Sequence, residues 1–219
     1  MSLENLVRQI EAQLLPYLHI ESIHCNEPVV VRKVPSSWRP LGTGNYAAVF
    51  YHPSFPEYVV KVYAPGRPGL AAEEEVYRRL GRHPSFSACF YCNSDCLVLK
   101  RLRGTTLYDC LSLGIPIPKQ VIEDIDQALN YARSRGLNGH DMHGRNVMMS
   151  EGRGLVVDVS DFLNPEPCSA WEDLKWAYYH IYLPVLAPLR IKVPYKMLDL
   201  VRKTYRLFRR WLPRRCDRP

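Results

Sequence analysis

The hydrophobic period of the chain changes near residue 105, and this change restricts the fold more than any single motif. Before it, apolar residues come in short, β-branched runs bounded by turn residues: 29–34, 46–51, 58–63, a stretch around 86–91, and 96–100. Such runs are the pattern of strands. Residues 70–80, LAAEEEVYRRL, interrupt them with strong helix formers. After the change, helical spacing dominates: 105–112, 118–135 with Val121, Ile125, Leu129 and Ala132 on one face, about 169–183, and 195–212. Two short apolar runs, 147–149 and 155–157, flank a turn within that half. A leading stripe of Leu3, Leu6, Val7, Ile10, Leu14 and Leu15 predicts one more helix, ending near Pro16. Strands gathered in one half and helices in the other predict an α+β fold.

The 219 residues suffice for one domain or two small lobes. A hydrophobic share of 47% against 23% charged excludes a disordered chain. No run reaches the roughly 18 apolar residues that a membrane span needs. The start, MSLENLVRQIEAQLLPYL, has early acids and no basic-then-apolar leader, so no signal peptide is expected. Seven cysteines, an odd number without an export signal, read as reduced thiols of a cytoplasmic protein. The net charge of +7 would suggest nucleic acid or anionic lipid as partner. Its location is narrower than that. Arg202, Lys203, Arg206, Arg209, Arg210, Arg214, Arg215 and Arg218 stand against Asp217 alone, and residues 1–200 are balanced at 21 basic and 21 acidic.

Five pieces then line up in order. Gly42-Thr43-Gly44, followed by Asn45, Tyr46, Ala47 and Val49, is a turn between strands whose small residues let backbone amides approach phosphate; it also reads as a plain hairpin. Lys61 sits between Val60 and Val62, where an ammonium needs a partner unless the strand is an edge turned to water. On helix 70–80, Glu73 shares the face of Val76, Tyr77 and Leu80 and can reach inward; Glu74 competes, Glu75 points elsewhere, and most of the run is a solvated face. In His140-Asp141-Met142-His143-Gly144-Arg145-Asn146, an Asp able to take a proton lies five residues before an Asn able to ligate a divalent cation. The His-x-x-His spacing admits zinc, but no third ligand sits at a sensible distance. Last, Asp158 ends the run Val156-Val157 and offers a hard oxygen for Mg²⁺, with Asp161 a lesser alternative.

This order of parts resembles the protein kinase superfamily over about residues 38–180. The resemblance implies a bilobal fold, with a β-sheet N-lobe and a reduced helical C-lobe around ATP. It implies four segments: an N-terminal helix and strand extension (1–37), an N-lobe (38–102), a C-lobe (103–193), and a basic amphipathic C-terminal helix and tail (194–219). By the same likeness Gly42, Thr43 and Gly44 cover the phosphates, Val49 lines the nucleotide site, and Lys61 holds the α/β-phosphates while paired to Glu73. Leu99 to Leu102 resembles the lobe connection, where backbone groups of Lys100 and Leu102 meet adenine. Asp141 takes the role of catalytic base, Asn146 and Asp158 hold Mg²⁺ or Mn²⁺, and Asp173 resembles the helix Asp that braces the catalytic loop. The third loop glycine is Ala47, the loop reads Gly139-His140-Asp141, and the metal motif reads Asp-Val-Ser. The Asp-x-His-x-x-Asn form is similar to that of aminoglycoside phosphotransferases and RIO-type kinases. The Asp-Val-Ser-Asp-Phe segment and short tail are most similar to small bacterial eukaryotic-like serine/threonine kinases.

The expected acceptor is a Ser or Thr hydroxyl of a protein; a sugar or aminoglycoside acceptor, or a nucleotide-binding pseudokinase module, are the alternatives. Cys89, Cys92 and Cys96 could hold zinc with an outside ligand, although strand alternation places them on differing faces as ordinary buried thiols. In the C-terminal helix, Pro194, Leu198, Val201, Tyr205, Phe208 and Leu212 form a stripe expected to pack on the body. The Arg and Lys residues opposite it suit solvent, an acidic partner or an anionic membrane surface; nucleic acid is disfavoured, since no aromatics interleave with them.

Overall fold

The computed structural model describes residues 2–24 and 27–211, with side chains through Tyr205. Ser2 accepts a hydrogen bond from the Asn5 amide and opens α1 (Leu3–Gln9), which widens into a π-helical turn (Ile10–Leu14) before Pro16. β1 (His19–Glu21) and β2 (Val30–Lys33) make a two-stranded ribbon. Then follow β3 (Arg39–Thr43), β4 (Ala47–Tyr51), β5 (Tyr58–Tyr63), α2 (Leu70–Leu80), β6 (Cys89–Cys92) and β7 (Cys96–Lys100). Their strands form an antiparallel five-stranded sheet in the order β3-β4-β5-β7-β6. The second lobe holds β8 (Thr105–Thr106), α3 (Leu107–Leu113), α4 (Lys119–Ser134), β9 (Val147–Ser150), β10 (Arg153–Val156), α5 (Ala170–Ala177) with its π-helical extension (Tyr178–Leu186), and α6 (Tyr195–Trp211). The fold is α+β and bilobal.

Strand alternation gives the sheet two buried faces. Ala48, Phe50, Val60, Val62, Cys96 and Val98 pack on Leu6, Ile10 and Leu14 of the first helix and on Trp38. Ala47, Val59, Tyr63, Leu97 and Leu99 meet Val76, Tyr77 and Leu80 of α2, and this core continues into Ile122, Ile125, Leu129 and Phe162 of the second lobe. Lys61 lies between Val59 and Tyr63 on the α2 side. The start of β10 is pinned by Asp124 of α4, which is 4% exposed and accepts from Arg153 Nε and Nη2 and from the Gly154 amide.

Three local readings change. The strand expected around 86–91 begins only at Cys89, because Phe86 bridges to Val156 of the other lobe and its buried ring meets Phe162 edge-on at 6.1 Å. The helix expected from 105 begins at Leu107, because Thr105 and Thr106 pair with Met149 and Met148. A bulge between Cys89 and Tyr91 sets Cys89 opposite Leu99 and Cys92 opposite Leu97, on the same face, with Cys96 on the other.

The crossover between lobes is close. A Cβ on Gly104 would stand 2.3 Å from the Met149 carbonyl oxygen. Gly104→Ala therefore forces backbone apart and should destabilise by about 2–3 kcal/mol. Gly42→Ala, with nothing within 4 Å of the added carbon, should stay within about 0.5 kcal/mol of wild type. Urea denaturation of the two variants checks the contrast.

Candidate active site

Lys61 is the centre of the cleft. Its Nζ donates to Glu73 Oε2 at 2.6 Å and to Asp158 Oδ1 at 3.3 Å. The Lys61 side chain is 14% exposed, Glu73 1% and Asp158 39%, so the contacts run from core to cleft. Burial alone would lower the lysine, but Asp158 and Glu73 outweigh it and raise the ammonium above its ordinary range. Burial likewise works against ionised Asp158, yet Lys61 and the Ser160 amide hold its carboxyl below the usual range. Burial keeps the Glu73 carboxyl above its usual range against the pull of Lys61. The Tyr63 hydroxyl also donates to Glu73 Oε2, while Glu73 Oε1 is buried without a partner among the described residues. Of the three acids on α2, Glu73 is thus the inward one, and Glu75 is engaged by Arg78 and Arg79.

Asp141 adopts φ 54°, a left-handed conformation that Asp tolerates better than most residues and that a packed surrounding must hold. Its carbonyl oxygen accepts from Asn146 Nδ2 at 3.1 Å. That bond fixes the amide so that Oδ1, the harder atom, remains for another contact. The Arg145 amide donates to His143 Nδ1, which leaves the proton of a neutral imidazole on Nε2, 3.7 Å from Asp141 Oδ2. Asp161 is raised by burial and by neighbouring Asp141 and Asp158, which places the three carboxylates in one field.

The glycine hairpin is tighter than the sequence suggests. Gly42 and Thr43 belong to β3, opposite Val49 and Ala48, and the turn is 44–46. The Gly44 amide donates to the Ala47 carbonyl, whereas the Asn45 and Tyr46 amides at the tip donate to nothing among the described residues. Neither Gly42 nor Gly44 has a positive φ, so open space above Gly42, not backbone conformation, is what its missing side chain provides. At the lobe connection, the Lys100 amide is bonded to Ala88 and its carbonyl accepts from Ser87, which leaves one carbonyl lone pair. Leu102 follows the last strand bond, from Arg101 to the Glu57 carbonyl.

Comparison with known proteins decides the family. No family model matches the chain. It is 30% identical over 169 residues to the Bacillus subtilis (strain 168) protein named "Putative serine/threonine-protein kinase YrzF", covering 76% of this chain and 78% of that one. The chain belongs to the protein kinase superfamily. A solved kinase domain, a mutant of Mycobacterium tuberculosis PknI, aligns over 57% of this chain and 60% of its own length, with 23% identity and a TM-score of 0.40. The reaction class of this kinase is ATP-dependent phosphoryl transfer.

The loop at 139–146 has a partner that sequence reasoning did not assign. Asp199 of α6 accepts from Arg145 Nη2 at 2.9 Å and from the Tyr108 hydroxyl at 2.8 Å. The Arg145 guanidinium lies 4.1 Å from the centroid of the Tyr108 ring, and the Tyr108 amide donates to the Gly144 carbonyl. The Tyr108 hydroxyl, then Arg145 and Arg202, hold the Asp199 carboxyl below its usual range. Asp173, read as the brace of the loop, accepts from Ser169 and Tyr205 side chains. α6 is therefore tied to the loop through Asp199, while the basic residues from Arg206 onward lie outside the described side chains.

Two outcomes follow from these contacts. Lys61→Met leaves the 1% exposed Glu73 without its cation and should cost about 3 kcal/mol at neutral pH. Because the orphaned carboxyl binds a proton more readily when folded, the penalty should shrink as pH falls, which urea melts at several pH values will show. Asp199→Asn should lower turnover roughly tenfold through loss of loop position, with the ATP KM and melting temperature little changed and Asp199→Glu restoring part of the rate.

Proposed function

We propose that this kinase transfers the γ-phosphoryl group of ATP to a Ser or Thr hydroxyl of a protein. The observation that carries the reading is the Lys61 ammonium bound by Glu73 and Asp158 at once, a cation held ready beside a partly exposed carboxylate. The donor set fits a divalent cation: an ionised Asp158 and the free Oδ1 of Asn146 are both hard oxygens. Mg²⁺ or Mn²⁺ held by this pair would neutralise charge on the β- and γ-phosphates.

The chain's own groups have separate tasks. Val49 and the Lys100–Leu102 backbone hold the adenine, with Lys100 contributing its carbonyl lone pair. Gly42 leaves room above β3, and the tip amides of Asn45 and Tyr46, with Thr43 beside them, face the phosphates in place of the occupied Gly44 amide. Lys61 shifts its donors to the α/β-phosphates while Glu73 and Tyr63 keep it in place. The acceptor oxygen forms a bond to the γ-phosphorus as the bond to the β–γ bridging oxygen breaks and ADP leaves. The hydroxyl proton passes to the Asp141 carboxylate. His143, whose Nε2 lies 3.7 Å from Asp141 Oδ2, stands beside that carboxylate and orients it. The work is positioning and charge neutralisation.

Transfer of γ-labelled phosphate by purified protein with Mg²⁺ or Mn²⁺ tests the reading. Asp141→Asn should lower the rate by about 10²–10⁴-fold, and Lys61→Met should abolish transfer. Gly42→Ala should keep stability and raise the ATP KM. Wild-type turnover in both of the first two variants would overturn the residue roles. Transfer to an aminoglycoside or sugar with none to protein would overturn the acceptor, and ATP binding without transfer to any acceptor would show a pseudokinase.

A further inference from the structure

The C-terminal helix turns the wrong residues outward for a helix that only completes a core. Its inner face is Leu198, Asp199, Arg202 and Tyr205, all partly buried. Its outer face is Met197, Leu200 and Val201, followed by Thr204, at i, i+3, i+4 and i+7. Met197 is 56% exposed, Leu200 60% and Val201 63%. Val201, expected to pack on the body, thus faces solvent, because the inner positions are occupied by the polar contacts of Asp199 and Tyr205. Leu189, 70% exposed, and Ile191 extend the apolar surface along the segment leading into the helix.

The charge beside this face has one sign. Lys196 and Lys203, seven residues apart, run along one edge of it, and Arg190 and Lys192 are exposed just before the helix. Between Asp173 and Asp217 the sequence holds a single acid, Asp199, and that acid is turned inward onto Arg145 and Tyr108. An exposed apolar stripe bordered by lysines and free of outward acids suits a surface that is apolar below and anionic above. No helix among the described residues is long and apolar enough to cross a membrane, so the geometry is that of a helix lying in the interface.

We propose that the outer face of α6, Met197, Leu200 and Val201 with Lys196 and Lys203, docks on an anionic lipid bilayer. The helix lies along the membrane plane, with its apolar side chains among the upper acyl carbons and the lysines at the phosphates. This surface is distinct from the cleft, and its occupation does not depend on the acceptor assigned above.

The test is sedimentation of the full chain with vesicles of pure phosphatidylcholine and of phosphatidylcholine containing one-third phosphatidylglycerol. Binding should be confined to the anionic vesicles and should weaken strongly as salt rises to about 0.5 M. The double variant Leu200→Gln/Val201→Gln should bind about tenfold more weakly with an unchanged melting temperature. If that variant melts early, Lys196→Gln/Lys203→Gln replaces it, with the same loss expected. Absence of binding to anionic vesicles overturns the proposal. So does wild-type binding by both variants, which would assign the attraction to the charges at 206–219. A solution dimer that Leu200→Gln/Val201→Gln splits, without vesicle binding, would show that a second copy covers this face.

Discussion

The Lys61 ammonium is the point at which three separately folded parts of the chain meet. β5 supplies the lysine, α2 supplies Glu73, and the segment after β10 supplies Asp158. Each is badly placed alone: a cation and a carboxylate in or near an apolar core lose far more in hydration than a surface pair regains. Together they are tolerable only when the helix lies against the sheet and the second lobe closes on both. The sheet's alternation, the inward face of α2 and the anchoring of the β9–β10 hairpin by Asp124 all act to bring these atoms within reach. An apolar trio of the same volume would hold the lobes at least as well, so the ionic arrangement is best understood through what it offers to phosphate and metal.

What the sequence revealed follows the strength of local rules. Strands 58–63 and 96–100 and helix 70–80 could be placed to the residue, because period and propensity agree there. Glu73 could be told from Glu74 by its helical face. Where tertiary contacts override local preference, the reading slipped: Phe86 is claimed by Val156, and Thr105 and Thr106 by the β9 strand. Tyr63 was within reach, since a residue two along a strand from Lys61 shares its face. The blocked Gly44 amide was not, because a hydrogen bond inside a three-residue turn leaves no trace in composition.

The C-terminal helix is the largest departure. Its apolar stripe was expected to pack on the body and its basic face to suit solvent, an acidic partner or an anionic membrane; Leu198 and Tyr205 do turn inward, Val201 does not, and Phe208 and Leu212 lie outside the described side chains. The structure places a carboxylate, a guanidinium and a phenol on the packed side, because the surface they meet is itself polar: Tyr108, Arg145 and Asp173. A polar inner face needs polar partners, and those come from positions 32 to 91 residues earlier in the chain. No window of sequence contains both halves of that match. Of the charge that dominated the composition, only Arg202 and Lys203 have described side chains: Arg202 is partly buried beside Asp199, and Lys203 is exposed.

The crossover between the lobes is fastened on both sides. On the N-lobe side the backbone is fastened through Arg101, whose amide donates to Glu57. On the other side it is fastened from Gly104, which lies so close to the Met149 carbonyl that only hydrogen fits, and from Thr105, which pairs with that strand. Between these anchors, Arg103 is tied back to the N-lobe, its guanidinium donating to the Pro56 carbonyl and to Glu57. A second pin stands across the molecule, where the Ser85 carbonyl accepts from the Val156 amide and Phe86 bridges to the same strand. Further ties cross between the lobes: the Tyr131 hydroxyl donates to the Leu80 carbonyl, and Lys61 reaches Asp158. The lobes therefore meet along a whole line of contacts, with Lys61 on one side of it and Asp158 on the other.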